Sequence, residues 1–240
     1  MLKYFISGHR SLNNPVILEI KDYEIKINSE GQTFCCLITS YPANGCIFQL
    51  IKQYLDTSGS NYDKMNPTIR SKIIFGVAVA MNCLHENNFI SDNLSLSNIY
   101  LDENFEPKII NCNLSYIFDL LYLSPEVFNG TYRFIKEVDV YAFAMVIYRM
   151  FSKENEKQPF RFFSKTSSGW RPEKPELMPD CYWELVCNCW KNSHEDRPSF
   201  DEIIEMLMDE KFALEEFGMK TDIDELREYQ NRVYQGPKKQ

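Results

Sequence analysis

Eight cysteines and three histidines are the side chains of this sequence best able to hold a metal or act as nucleophiles. Metal sites need such ligands at short, fixed spacings. Here Cys35 and Cys36 are adjacent, Cys187 and Cys189 alternate, and no Cys-x-x-Cys pair occurs. His9, His85 and His194 lie far apart. No metal centre is expected, and the cysteines read as small apolar side chains. A loop that cradles phosphates through backbone N–H groups would show Gly-x-Gly-x-x-Gly, and that pattern is absent as well. Trp170, Trp183 and Trp190 are expected in core and inter-helix packing.

Composition narrows the classes further. The 240 residues are 44% hydrophobic and 25% charged, an ordinary globular balance that excludes wholesale disorder. Glycine (9) and proline (11) are too few for a collagen-like or linker-dominated chain. The formal charge of −8 and the lack of a basic stripe exclude a typical nucleic-acid binder. The longest apolar run, Val140 to Tyr148, is less than half of the roughly 20 residues that span a bilayer. No apolar segment with a small-residue cleavage site follows Met1, so a cytoplasmic protein with reduced cysteines is expected.

The elements that must position any site follow from periodicity. Val16–Ile20, Tyr23–Ile27 and Thr33–Ile38 read as strands, the last two joined by the turn Asn28-Ser29-Glu30-Gly31 into a hairpin. After Pro42-Ala43-Asn44-Gly45 the period turns helical, with Ile47, Leu50, Ile51, Tyr54 and Leu55 on one face. Pro67 opens a long helix, since its missing N–H costs nothing in a first turn; Ile69, Ile73, Val77, Ala80, Met81 and Leu84 mark its buried face. Short strand pieces fill residues 89–115. Val138 to Phe151 is apolar nearly all round, as in a helix at the centre of a domain. Further helices are expected over Cys181–Trp190 and Phe200–Leu207. In the charged tail, Ile223, Leu226, Tyr229 and Val233 recur at helical spacing, which suggests an exposed or docking helix. A small β-rich part followed by a large helical part is an α+β pattern.

Ordered motifs then carry a resemblance. Asn98-Ile99-Tyr100-Leu101-Asp102, continuing to Ile109, is similar to the exit of a protein kinase catalytic loop. Ser124-Pro125-Glu126 resembles the Ala-Pro-Glu that closes the activation segment. Asp139-Val140-Tyr141-Ala142-Phe143-Ala144 resembles a helix start of the tyrosine-kinase-like group. Gly169-Trp170-Arg171-Pro172, Cys189-Trp190 and Asp196-Arg197-Pro198-Ser199-Phe200 resemble that group's late helices. Leu37 to Gly45 resembles the hinge between the lobes, which brings Thr39 and Tyr41 to the nucleotide's edge. The resemblance covers roughly residues 13–208 and implies a protein-kinase-like fold. Residues 1–45 would be a remnant of the small lobe (the end of helix C, two strands and the hinge), 46–213 the helical lobe and 214–240 a charged tail. It also implies a buried ion pair between Glu126 and Arg197, and an Asp139 that accepts hydrogen bonds from the catalytic-loop backbone.

The same resemblance exposes gaps in the chemistry. Phosphoryl transfer needs a phosphate loop, a strand lysine, metal ligands and a carboxylate facing the substrate hydroxyl. No Val-Ala-Ile-Lys-like run occurs, and no acidic residue precedes Glu19, so the first strands and the helix-C carboxylate have no counterpart. Counting back five positions from Asn98 places Asn93 where the catalytic Asp belongs, with Ser91 and Asp92 for His and Arg and Ser95 for the loop Lys. An amide does not accept a proton near neutral pH. A rival alignment sets Asp92 at the catalytic position, with one extra residue before Asn98. The metal-binding Asp-Phe-Gly reads Asn111-Cys112-Asn113; Asn111 supplies only a neutral oxygen, whereas Mg²⁺ is usually held by carboxylates and phosphates. Asn98 is the second candidate ligand, and equally a plain loop cap. The segment from Asn111 to Glu126 is short, and Ser115, Tyr116 and Tyr122 are poor candidates for a phosphorylation switch, because Asp92 would repel a phosphate.

The resemblance thus implies a pseudokinase that works through protein partners, with neither ATP nor Mg²⁺ as a cofactor. The alternatives are a weak or atypical ATP-dependent kinase using Asp92 with Mg²⁺, and a gene fragment without function. No nucleic-acid or membrane partner is expected.

Overall fold

A computed structural model describes residues 8, 12, 14–56, 65–91, 93–110, 120–128, 130, 135–152, 164–216 and 218–234, with backbone alone for 52–56 and 128. The chain runs through β1 (Ile20–Ile27) and β2 (Thr33–Thr39), α1 (Ile47–Asp56) and α2 (Pro67–Glu86), then β3 (Ile99–Leu101) and β4 (Pro107–Ile109). A short α3 (Pro125–Phe128) precedes α4 (Lys136–Phe151), α5 (Asp180–Cys189) and α6 (Phe200–Leu207). The tail adds β5 (Glu215–Glu216), β6 (Met219–Lys220) and α7 (Ile223–Val233). Each of the three sheets is an antiparallel pair of strands. The architecture is α+β with a helical core. Among the described residues no helix is long and apolar enough to cross a membrane.

Sequence explains where these elements begin. The Asn66 side chain accepts a hydrogen bond from the Ile69 N–H at 2.9 Å, and Pro67 follows in the first turn, so α2 starts with an orphan donor satisfied. It ends at Asn87 and Asn88; Asn88 has φ 59°, a left-handed conformation that Asn tolerates and that stops a helix. Ser199 and Glu202 close α6 with a reciprocal capping box.

The expected strand Val16–Ile20 is not part of the hairpin. Only its last residue enters β1, while Ile17 bridges in parallel to Ile109, with Leu18 N–H donating to Ile109 O at 2.9 Å and Ile109 N–H to Val16 O at 2.8 Å. Pro15 precedes the segment, and consecutive burial of Val16, Ile17 and Leu18 breaks the alternation a one-sided strand requires. The segment after the hairpin is tied to β3: Leu101 N–H donates to Gly45 O at 2.9 Å, and Asn44 N–H to Leu101 O at 3.0 Å.

α2 and α4 are buried on nearly every side and form the centre of the core. The expected face of α2 is buried except for the half-buried Ile69, but so are Thr68, Arg70, Ser71 and Lys72. The tail covers them. Asp222 N–H donates to Thr68 Oγ1 at 2.9 Å, Ser71 and Thr221 hydroxyls meet at 3.2 Å, and Lys72 Nζ donates to Glu225 at 2.6 Å. Arg70 pairs with Glu216, donates to Met150 O at 2.7 Å and lies 4.2 Å from the Phe151 ring centre. Farther along, α7 sets Tyr229 against Gly76 and Pro107, and Arg232 pairs with Glu106. The tail helix is therefore a docked helix, not an exposed one.

Gly76 is required by that closeness. A Cβ there would fall inside contact distance of the Tyr229 hydroxyl and the Pro107 ring. The Gly76→Ala variant is expected to lose about 1–3 kcal/mol in denaturant unfolding, the usual cost of overpacking. Tyr229→Phe is expected to be neutral or stabilising, because the Tyr229 hydroxyl is buried with no hydrogen-bond partner among the described residues.

Candidate active site

The loop between α2 and β3 carries the residues that could do chemistry, and two anchors fix its ends. At its start, the buried Asp139 carboxylate at the head of α4 accepts the Ser91 N–H at 2.8 Å and meets His85 Nε2 at 2.8 Å. His85 also stacks edge-on against Phe200, 5.1 Å between ring centres. One carboxylate thereby joins the end of α2, the loop and α4. At its end, Asn98 donates through Nδ2 to Asn93 O at 2.8 Å, and its N–H donates to Ser95 O at 3.0 Å, closing the turn Leu96–Asn98 before β3. Asn98 is thus a loop cap in this structure.

Asn93, Ser95 and Asp139 line a pocket of about 20 Å³, together with Tyr122, Ser124 and Ala142. That is room for about one water. Ser95 is buried and neutral. Tyr122 is buried too, with the Leu96 N–H 3.4 Å from its hydroxyl, which makes it a poor phosphorylation target. Asp92, Asn111, Ser115 and Tyr116 lie outside the described residues. At the hinge, Thr39 Oγ1 donates to Ser40 O at 3.1 Å, and the Tyr41 side chain is 87% exposed.

Nucleotide-bound Mg²⁺ needs a hard donor set, normally with carboxylates. Among the described residues no group of three or more His, Cys, Asp or Glu side chains converges. Asn98 brings a neutral amide already held by Asn93. Asn98 alone does not make a site for the ion, and no step is derived through it.

The firmest electrostatic feature stands beside the loop. Arg197 meets Glu126 through two parallel bonds, Nη1 to Oε1 at 2.6 Å and Nη2 to Oε2 at 2.9 Å, with both side chains buried. Arg197 also donates to Glu137 O and Lys191 O, each at 2.9 Å, and lies 5.2 Å from the Tyr141 ring centre. The fork geometry suits a planar guanidinium and carboxylate. Burial pushes the Glu126 carboxyl up, but the Arg197 hydrogen bonds and charge outweigh it and hold the group below its ordinary 4.5.

The role of Arg171 was not visible in the sequence, whereas the expected packing of the tryptophans holds for Trp183 and Trp190 and fails for Trp170. Arg171 donates to Trp190 O at 3.0 Å from Nε and 2.6 Å from Nη2, and to Thr166 O at 2.9 Å, so it ties the loop before α5 to the end of α5. Trp190 is buried and packs edge-on with Trp183, 5.5 Å between ring centres. Trp170 departs from the expected core role: it follows Gly169 (φ 91°) in a loop, is 43% exposed, and has Lys165 Nζ 5.0 Å from its ring.

With this geometry in place, comparison gives the class. The family described as protein tyrosine and serine/threonine kinase matches residues 10–207, and the chain belongs to that family. Its relatives include a probable serine/threonine-protein kinase of Dictyostelium discoideum, 28% identical over 183 residues (70% of this chain, 17% of that protein). The dual specificity protein kinase pyk3 of the same organism is 32% identical over 183 residues (66% and 13%). The human cytoplasmic tyrosine-protein kinase BMX is 26% identical over 187 residues (70% and 26%). This spread fits the tyrosine-kinase-like resemblance. The chain spans about a quarter or less of the length of these relatives.

The ion pair yields a measurable expectation. Arg197→Met leaves Glu126 buried and unpaired and should cost about 3–5 kcal/mol in chemical denaturation. The sign for pH follows from the lowered folded-state value: the Glu126 contribution is complete above its unfolded value and is lost as pH falls through the folded one. Unfolding followed between neutral and acid pH should show Glu126→Gln losing less stability than the parent below about pH 4.5.

Proposed function

We propose that this chain is a pseudokinase of the tyrosine-kinase-like group, a cytoplasmic protein that acts by binding other proteins and not by transferring phosphate. One observation carries the reading: the catalytic-loop positions Asn93, Ser95 and Asn98 present amides and a hydroxyl, and the carboxylate that lines the same pocket as Asn93 and Ser95, Asp139, is engaged with Ser91 and His85. An amide cannot take the substrate hydroxyl's proton, and a neutral Ser cannot stabilise the charge on the transferring group. The exposed Ile25 and Ile27, neighbours on one face of the hairpin, support a binding role, since adjacent exposed apolar side chains mark interaction surfaces.

A second reading keeps one supporting observation. In the alignment that sets Asp92 at the catalytic position, a weak ATP-dependent kinase would use it as base, and the residue before it, Ser91, has its N–H bonded to Asp139.

Thermal unfolding of the purified protein with and without Mg²⁺-ATP separates the two. The pseudokinase reading expects an unchanged transition and no phosphotransfer to a generic substrate. A shift of several degrees, with phosphotransfer abolished by Asp92→Ala, would establish the kinase reading instead.

A further inference from the structure

The hairpin β1–β2 has a free outer edge along Tyr23–Ile27, with no strand beside it among the described residues. Backbone parity fixes which groups face outward. Asn28 N–H donates to Gln32 O at 3.0 Å, so Asn28 faces β2. Alternation along the pleat then turns Lys26 and Glu24 toward β2, and turns the N–H and C=O groups of Tyr23, Ile25 and Ile27 away from it. The side chains of those same three residues share one face of the hairpin with Cys35 and Leu37, and Ile25 and Ile27 are 63% and 70% exposed.

We propose that this edge pairs with the same edge of a second copy of the chain, antiparallel about a two-fold axis through Ile25, to make a four-stranded sheet. In that register Ile25 faces Ile25 of the second copy, and Tyr23 faces its Ile27. Each of these pairs joins residues whose backbone groups already point outward, so each exchanges both of its hydrogen bonds. Glu24 falls opposite Lys26 of the second copy, and Lys26 opposite its Glu24. They occupy the closer, non-hydrogen-bonded positions where cross-strand charge pairs act most strongly. Within one copy the two side chains already meet at 3.0 Å, both about half exposed.

Charge selects this register. Centring the axis on Glu24 sets two carboxylates face to face, and centring it on Lys26 sets two ammonium groups face to face. Centring it on Tyr23 opposes Asp22 and Glu24. Of the registers centred on Tyr23, Glu24, Ile25 and Lys26, only the Ile25 register opposes no like charges, and unlike one centred on Ile27 it pairs Glu24 with Lys26 and matches an aromatic with a branched side chain twice. The other free edge, along β2 (Thr33–Thr39), carries no charge and so fixes no register. Self-complementarity about a two-fold is the signature of a closed, isologous contact that ends at a dimer.

The test is the mass of the full-length chain in solution by sedimentation equilibrium. A dimer is expected at tens of micromolar protein. Lys26→Glu and Glu24→Lys each convert both symmetric pairs into like-charge pairs and should weaken the dimer roughly tenfold or more. The double variant Glu24→Lys/Lys26→Glu restores opposite charges at both positions and should dimerise like the parent. Circular dichroism confirms that each variant is folded. A monomeric parent protein would overturn the proposal, whether the edge is bare or reserved for a strand of another protein. A dimer indifferent to the single swaps, as an association through β2 would be, would also overturn it, as would a folded double variant that stays monomeric.

Discussion

A helix buried on nearly every side must have the charges it carries answered, and α2 is that helix. Its apolar residues need only neighbours, but Arg70 and Lys72 near its start, and His85 near its end, need partners of opposite character. Glu216 and Glu225 from the tail answer the first two, and Asp139 from α4 answers the third. A buried charge left without its partner costs several kcal/mol, more than a typical apolar contact contributes. The tail is thus fixed to the core by electrostatic necessity as much as by the packing of Leu226, Tyr229 and Val233. The loop beyond α2 takes its starting position from the same Asp139 that satisfies His85.

Much of this could be read from the sequence, for a reason common to the legible parts. Pro67, the apolar wheel of Val138–Phe151, the run Phe200–Leu207 and the hairpin turn Asn28–Gly31 are all local signals, in which the residues that specify an element lie inside it. The helical spacing of Ile223, Leu226, Tyr229 and Val233 was local too, so the tail helix was legible. Its docking site was not, because Arg70 and Glu216 are 146 positions apart and either could have been an ordinary surface charge. Val16–Ile20 was read as a strand because an apolar run looks alike whether it is a full strand or makes a single bridge to a distant strand. Trp170 was misread because burial of a lone aromatic in a loop depends on what the loop lies against. The candidate site was legible only through ordered motifs. No local rule would have joined Glu126 to Arg197 or Asp139 to Ser91.

The groups that hold the kinase-like loop and the groups that would do its chemistry are different residues under different physical constraints. Asp139, Glu126 and Arg197 are buried and reciprocally bonded, so replacing one leaves another uncompensated in a low-dielectric interior. In the alignment that counts back from Asn98, Asn93 and Ser95 fall at positions where the kinase motif has Asp and Lys. As amides and a hydroxyl, these two and Asn98 ask for only neutral hydrogen bonds, and Asn98 finds them within the loop itself. A carboxylate or ammonium at Asn93 or Ser95 would bring a desolvation cost that an active enzyme recovers from nucleotide and metal. Where no such ligand binds, neutral side chains are the less costly occupants of a half-buried loop. The shape of the loop and neutral side chains at Asn93 and Ser95 are therefore compatible: the anchors Asp139, Glu126 and Arg197 serve stability whether or not phosphate is ever transferred.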